Sequence, residues 1–408
     1  MLTPMRDPQI LALLILACLA VAVPTARAQV RFEQTEFCIG FWVDPPAEEN
    51  WDLRYREIAD ANFNVVLGFF GATTVETAQR QVELCEQLGM KAIVSRVTDD
   101  PYELPDGPAC WGYGLGDEPG AAAFPALAEQ VAALREARPG RLAYINLFPN
   151  YAPPAALGTE TYDEHLRQFV DVVDPDVLSM DHYPMFTPTA DGRQGYIDNL
   201  ASMREVSLEA GIPFWNFFNT MPFGPHFDPT ESQLRWQIYS SLAYGAKGVL
   251  YFCYWTPRGG EFPKGGAIIT AEGRRTRHYD QARRINAELK AMGPTLMALT
   301  STGVRRIQRG DDVAALLTGS PIASITDGEY LIGEFTHVDG RRAVLLNNYD
   351  FAYTSWPTVE FVAPLEQVTE VDRVTGEERA VIDDSPDTDG LQVSLDAGEG
   401  RLFLMPAE

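Results

Sequence analysis

Two stretches of the chain end in carboxylates placed where they could exchange a proton with a bound molecule. In Trp111-Gly112-Tyr113-Gly114-Leu115-Gly116-Asp117-Glu118-Pro119, glycines alternate up to a pair of acids, and Asp181-His182-Tyr183-Pro184 closes a second apolar run. Two carboxyl groups held in different environments, one protonated and one ionised, are standard equipment for general acid–base work. Pro119 lacks a backbone N–H and disfavours a helical residue before it, so Glu118 is expected to be the last extended residue of a strand. The two-residue period of a strand puts Glu118 on the face of Gly112, Gly114 and Gly116, and puts Asp117 opposite, with Tyr113 and Leu115. By the same parity Asp181 joins Ser179 and Tyr183, while Leu178, Met180 and His182 face the other way. The plain alternative is a pair of loops carrying solvated acids.

The surrounding pattern supplies the elements that would hold these acids. Strand-like runs at Phe37–Asp44, Phe63–Phe70, Lys91–Arg96, Trp111–Glu118, Leu142–Phe148, Val177–Tyr183, Pro213–Asn219 and Gly248–Trp255 alternate with helical periodicity. The helical stretches include Trp51–Ala61, Val75–Leu88, Ala122–Ala137 and Asp280–Met292. Eight such alternations over about 260 residues predict an α/β fold, a (β/α)8 TIM barrel over residues 29–300. A dinucleotide-binding doubly wound sheet is disfavoured, because Pro119 stands where the final glycine of Gly-x-Gly-x-x-Gly would fall. Parity turns Cys38, Gly40, Trp42 and Asp44 inward on the first strand, and Tyr144 with Asn146 on the fifth. Polar and aromatic residues therefore gather at the C-terminal strand ends, where barrels keep their sites.

After Thr300 the helical period stops. Short alternating runs at Val313–Leu317, Tyr330–His337, Arg342–Asn347, Thr358–Val362, Val368–Val371, Leu391–Leu395 and Arg401–Met405, with Asp339-Gly340 as a hairpin turn, predict a small all-β sandwich domain over 301–408.

Composition narrows the partners. A formal net charge of −25 argues against nucleic acid or anionic lipid and fits a neutral ligand. Residues 1–28 read as a signal peptide: Arg6 precedes the apolar run Ile10–Val23, and Ala26-Arg27-Ala28 offers a cleavage point after Ala28. The run is short for a membrane span, and a lipoprotein-type cleavage before Cys18 ranks below it. A secreted or periplasmic protein follows as the expectation. Cys38, Cys85, Cys110 and Cys253 remain after cleavage, and disulfides and buried thiols both stay open. The spacing of Cys and His matches no zinc pattern, there is no Gly-x-Ser-x-Gly elbow, and no metal or cofactor is expected.

At Gly116-Asp117-Glu118-Pro119, Asp181-His182-Tyr183-Pro184 and Tyr254-Trp255, the sequence resembles secreted barrel-type glycoside hydrolases of clan A, including the β-galactosidase-like members. Tyr330–Glu408 resembles the small β domain that often follows such barrels. The resemblance implies a carbohydrate substrate and an acid/base Glu after the fourth strand; Glu118 matches, with Asp117 in place of the usual Asn. It also implies a nucleophilic Glu ending the seventh strand, and Pro213–Asn219 holds no carboxylate. Three mechanisms stay open. Glu118 acts as acid with Asp181 as base for a water, an inverting arrangement that needs about 6.5–9.5 Å between the carboxyls. Or Asp117 and Glu118 act together on an N-acetylated sugar whose acetamido group attacks. Or the site binds sugar without cleaving it. Trp42, Tyr183 and Trp255 would offer flat faces to a sugar ring, and Asp44, Asn146, Asn216 and Asn219 would bond its hydroxyls. The loop Arg258–Gly273, with Gly259, Gly260, Glu261 and Lys264, is a candidate rim. His182 is expected on the outer face, and Arg96 in a structural ion pair.

Overall fold

The computed structural model describes residues 30–186, 190–260, 262–383 and 387–407. The apolar N-terminal run and the cleavage point after Ala28 lie outside the described residues, as does Glu261. Eight parallel strands, β1 (Cys38–Phe41), β2 (Val65–Gly68), β3 (Lys91–Val94), β4 (Cys110–Asp117), β5 (Leu142–Leu147), β6 (Leu178–Asp181), β7 (Phe214–Asn219) and β8 (Gly248–Phe252), form one sheet in the order β1-β8-β7-β6-β5-β4-β3-β2. Around it run α1 (Trp51–Asp60), α2 (Val75–Gln87), α3 (Phe124–Ala137), the short α4 (Pro154–Leu157), α5 (Tyr162–Val173), α6 (Arg193–Ala210), α7 (Glu231–Ala243) and α8 (Arg277–Met297).

Local chemistry explains where these helices begin and which face they bury. Thr74, Thr161 and Thr230 each accept from the backbone N–H three residues on, and the side chain there returns a bond to the cap. In α5 the buried residues Tyr162, His165, Leu166, Phe169 and Val173 recur at helical spacing, which defines the stripe packed on the barrel.

The seam between β1 and β2 is closed by one side chain. Asn64 Oδ1 accepts from Ile39 N (2.7 Å), its Nδ2 donates to Phe37 O (2.8 Å), and its own N–H donates to Ile39 O (3.1 Å). Inside the barrel an aromatic column climbs toward the C-terminal mouth. Trp111 stacks on Trp215 (6.3 Å), Trp215 on Tyr144 (5.9 Å), Tyr144 on Phe69 (6.1 Å), and Phe69 meets Trp42 edge-on (5.1 Å). Gly114 makes room for this column, since a Cβ there would sit 2.5 Å from the Phe69 ring. The bare face of β4 is thus filled by a neighbouring aromatic.

The expected parity of β4 fails before its end. Gly114 pairs with Tyr144, but the next partner of Ile145 is Gly116, leaving Leu115 as an extra residue. A Cβ on Gly116 would face Leu127 of α3 and Ile145, so Leu115 and Gly116 both point outward and the following residue turns in. Asp117 therefore faces the barrel mouth, opposite to the strict two-residue reading. Glu118 is not extended either: its φ is +46°, a left-handed turn, and its N–H donates to Asn146 O (2.8 Å).

Beyond α8 the chain builds two antiparallel sheets. β9 (Leu299–Ile307), α9 (Val313–Leu316), β10 (Ile322–Ile325), β11 (Tyr330–His337), β12 (Arg342–Asn348), β13 (Thr358–Phe361), β14 (Thr369–Val371), β15 (Glu378–Ala380), β16 (Leu391–Gln392) and β17 (Gly400–Met405) follow in order. Six strands lie as β15-β14-β17-β12-β11-β9 and three as β10-β13-β16. One face of the larger sheet, with Ile332, Val344 and Phe403, packs into the sandwich core; the other, with Leu331, Leu345 and Leu402, joins the barrel core. Gly333 permits that second contact, because a Cβ would lie 2.4 Å from the Ala243 carbonyl at the end of α7. The expected strand at Val313–Leu317 is a helical turn instead, started by Asp312, whose side chain accepts from Ala315 N. Cys38, Cys85, Cys110 and Cys253 are free thiols and buried.

Candidate active site

A cleft of about 460 Å3 opens at the C-terminal ends of the barrel strands. Its charged groups are three carboxylates, Asp117, Glu118 and Asp181, and its walls are Trp42, Phe70, Tyr151, Tyr183, Phe217, Phe223, Phe252 and Phe262. A larger cavity of about 550 Å3 lies at the opposite end, near Arg204, Lys247 and Leu299. There Asp176 is ion-paired with Arg31 and Arg135.

The three acids form one network. Asn146, across the β4–β5 pairing from Asp117, donates from Nδ2 to Asp117 Oδ1 (3.2 Å) and to Asp181 Oδ1 (2.9 Å), and its Oδ1 accepts from Ser179 Oγ (3.1 Å). Glu118 and Tyr183 share the cleft with Asp181, and the charge of Glu118 acts on it. Burial, then the charge of Asp117, push the Glu118 carboxyl up to about 7, against a smaller lowering by Asp181. Asp181 is held well above the carboxylate range by burial and then by Glu118 and Asp117. Interacting acids titrate as a unit, so the shifts of Glu118 and Asp181 belong to the pair. Asp117 opens to solvent at the mouth, and burial of its carboxyl still raises it while the Asn146 amide pulls it down. Such a network can deliver a proton from Glu118 and keep a negative charge a residue away.

Of the other expected site residues, Trp42 and Tyr183 line the cleft, and Asn146 lies at its floor with its amide spent on the two acids. Four do not. Asp44 is buried, and its carboxylate accepts from the backbone N–H groups of Phe70 (2.7 Å), Gly71 (3.0 Å) and Ala72 (3.2 Å), fixing the loop after β2. Asn216 faces the helices, donating to Tyr196 Oη (2.7 Å) and Ser241 Oγ (3.0 Å). Asn219 is fully buried, and its Oδ1 accepts from Met185 N (3.3 Å). Trp255 lies outside because β8 ends at Phe252; its ring packs under Arg54 (5.1 Å) and its backbone bridges to Ile269. The turn at Glu118 brings its carboxyl into the same cleft as Asp181.

His182 is buried on the outer side, with Nδ1 3.0 Å from Asn199 Oδ1 and burial lowering it to about 4. Arg96 bonds Gln130 (2.6 Å) and Asp99 (3.1 Å). The rim loop contributes Pro257 and Phe262 to the cleft. Phe217 and Phe252, which sequence reading passed over, share inward parity with Trp215 and Leu250 and were within reach of it. Tyr151, Phe223 and Phe262 come from loops, where no period operates.

A (β/α)8 barrel carrying a β-sandwich is the class of protein that this fold defines. No protein-family model and no curated protein sequence matches the chain. Among solved structures, a catalytic mutant of a GH42 beta-galactosidase from G. stearothermophilus is similar at 10% identity and a TM-score of 0.63, over 92% of this chain and 99% of that one. The beta-galactosidase from Bacillus circulans sp. alkalophilus is similar at 10% identity and 0.59, over 91% and 99%. A beta-galactosidase from the psychrophilic Marinomonas ef1 aligns at 13% identity and 0.45 over 62% of this chain, which spans 60% of that protein. At these identities the likeness is one of fold.

Proposed function

We propose that the protein hydrolyses an O-glycosidic bond of a neutral carbohydrate in this cleft, with Glu118 as general acid. One observation carries the reading: a carboxyl raised to about 7 by burial and a neighbouring acid, at the mouth of a barrel and walled by aromatic rings. An acid with such a pKa is protonated and ready to transfer near neutral pH. Trp42 and Tyr183 supply apolar faces for the sugar ring, and the fold likeness to β-galactosidases supports the class of substrate. The test is turnover on a panel of aryl glycosides and neutral oligosaccharides together with Glu118→Gln, which should abolish hydrolysis while leaving sugar binding measurable by calorimetry. A wild type that binds sugars and cleaves none of them would make this a carbohydrate-binding protein.

The geometry bears on the second group. Asp181 as base for a water calls for a gap of about 6.5–9.5 Å from the acid, and the burial that holds Asp181 well above the carboxylate range works against an ionised base there. Asp117, turned into the cleft by the bulge and held by Asn146, favours the substrate-assisted reading, in which an acetamido oxygen attacks and Asp117 orients it. The first-formed anomer separates the two: an inverted product assigns Asp181 as base, and a retained product with a strict need for the acetamido group assigns Asp117. Export with cleavage after Ala28 belongs to the same proposal, resting on the N-terminal sequence, and N-terminal sequencing of exported protein should find Gln29 first.

A further inference from the structure

The catalytic cleft has a neighbour. Phe186 forms a backbone bridge with His226, their rings 4.7 Å apart, and His226 lines the cleft beside Tyr183 and Phe223. On the far side of this aromatic wall lies a second cavity of about 490 Å3, lined by Pro184, Phe186, Phe227, Arg193, Gln233 and, from the sandwich domain, Phe351. Three half-buried phenyl rings thus meet an amide and a guanidinium in one concave space.

The polar groups there are held in place and still have bonding capacity. Asp191 grips Arg193 through Nε (2.9 Å) and Nη2 (2.7 Å), and the guanidinium lies over Phe351 (5.3 Å) and Tyr349 (5.6 Å). Gln233 Oε1 accepts from Thr230 N (2.8 Å) as part of the α7 cap. Its Nε2 and Arg193 Nη1 donate to no acceptor among the described residues, and both serve the same cavity. Flat apolar faces with a few fixed donors are what a ring bearing hydroxyls needs, whereas a purely apolar ligand would leave those donors unpaired.

We propose that this cavity is a second sugar-binding subsite, beside the cleft across the Phe186–His226 wall, so that the substrate is a neutral oligosaccharide and the sandwich domain takes part in binding it through Phe351. The inference rests on the glycosidase reading for what happens in the cleft, and its own claim is one of binding. Units beyond the scissile bond sit against Phe186, Phe227 and Phe351, and they raise affinity without touching Glu118.

The test uses the full chain carrying Glu118→Gln, titrated calorimetrically with galacto-, cello- and chito-oligosaccharides from monomer to pentamer. Affinity should rise with chain length in at least one series. Phe351→Ala on the same background should remove about fivefold to tenfold of that gain, the size of one aromatic contact, while leaving monomer affinity unchanged. Gln233→Glu keeps the capping oxygen and removes the donor, so it should reduce the same gain even if Phe351→Ala disturbs the domain contact. Affinity flat with length in every series, or equal losses for monomer and pentamer in both variants, overturns the subsite. Turnover of aryl monoglycosides by the wild type is read separately; its failure would overturn the hydrolase reading and leave the subsite result standing.

Discussion

Asp117 lies directly across the β4–β5 pairing from Asn146, and the Asn146 amide reaches its carboxylate at 3.2 Å. That contact exists because one extra residue in β4, Leu115, reverses which face Asp117 presents. The same amide holds Asp181 at 2.9 Å, so a single neutral side chain ties together acids from two different strands. Its bonds favour the ionised form of both. In Asn146→Ala the two acids should protonate at higher pH, moving the acidic limb of the kcat/KM profile upward, with a loss of about tenfold or more at the optimum. An unmoved limb would remove Asn146 from the account.

Stability should depend on pH through the same cluster. The Glu118 carboxyl is raised from 4.5 to about 7 in the folded protein, so between those values the folded state holds more protons than the unfolded one. Its favourable contribution is full below the unfolded value and is lost as pH rises through about 7. Asp181, raised for the same reason, acts in the same direction. Glu118→Gln and Asp181→Asn should therefore raise Tm relative to wild type more at pH 8 than at pH 5. A larger gain at pH 5 would contradict the direction assigned to both groups.

Asp44 tests a structural role against a binding one. Removing its three backbone bonds in Asp44→Ala leaves buried N–H groups unpaired, at a cost of about 1–3 kcal/mol in a denaturant titration. KM for the best substrate should rise only together with that loss of stability, through the loosened loop that carries Phe70 at the cleft. A large rise in KM without a loss of stability would return Asp44 to the binding site.

Gly114 tests the aromatic column. Gly114→Ala presses a methyl group against Phe69 and should destabilise by about 1–3 kcal/mol, as overpacking does. Adding Phe69→Leu should recover part of it. If the double variant is as unstable as the sum of the singles, the contact is not what requires glycine.

Much of the barrel was legible in sequence because its signals are periodic. Strand-like runs marked all eight strands, and the helical periodicity between them supplied the layer around them. The β11–β12 hairpin followed from Asp339-Gly340, with Gly340 at φ +90°. What failed was local and physical. Parity misassigned Asp117 because a bulge inserts a residue that no pattern announces, and Pro119 did not keep Glu118 extended once its N–H was drawn to Asn146. Asn216 shares parity with the outward Phe214 and Phe218, and that parity turns it away from the barrel interior. Asp44 looked like an inward acid, and only its three backbone partners show that it serves a loop. The aromatic walls from Tyr151, Phe223 and Phe262 depend on loop paths that hydrophobic periodicity does not describe.

The central claim is that Glu118 donates the proton to the departing oxygen, and leaving-group dependence tests it most directly. Wild type and Glu118→Gln should be compared on two glycosides of the same sugar, one with a dinitrophenolate leaving group that needs no proton and one with a sugar alcohol that does. The account predicts that Glu118→Gln loses about 10²–10⁴-fold in kcat/KM on the alcohol and far less on the dinitrophenyl substrate. Equal losses on both, or no loss on the alcohol, would contradict it.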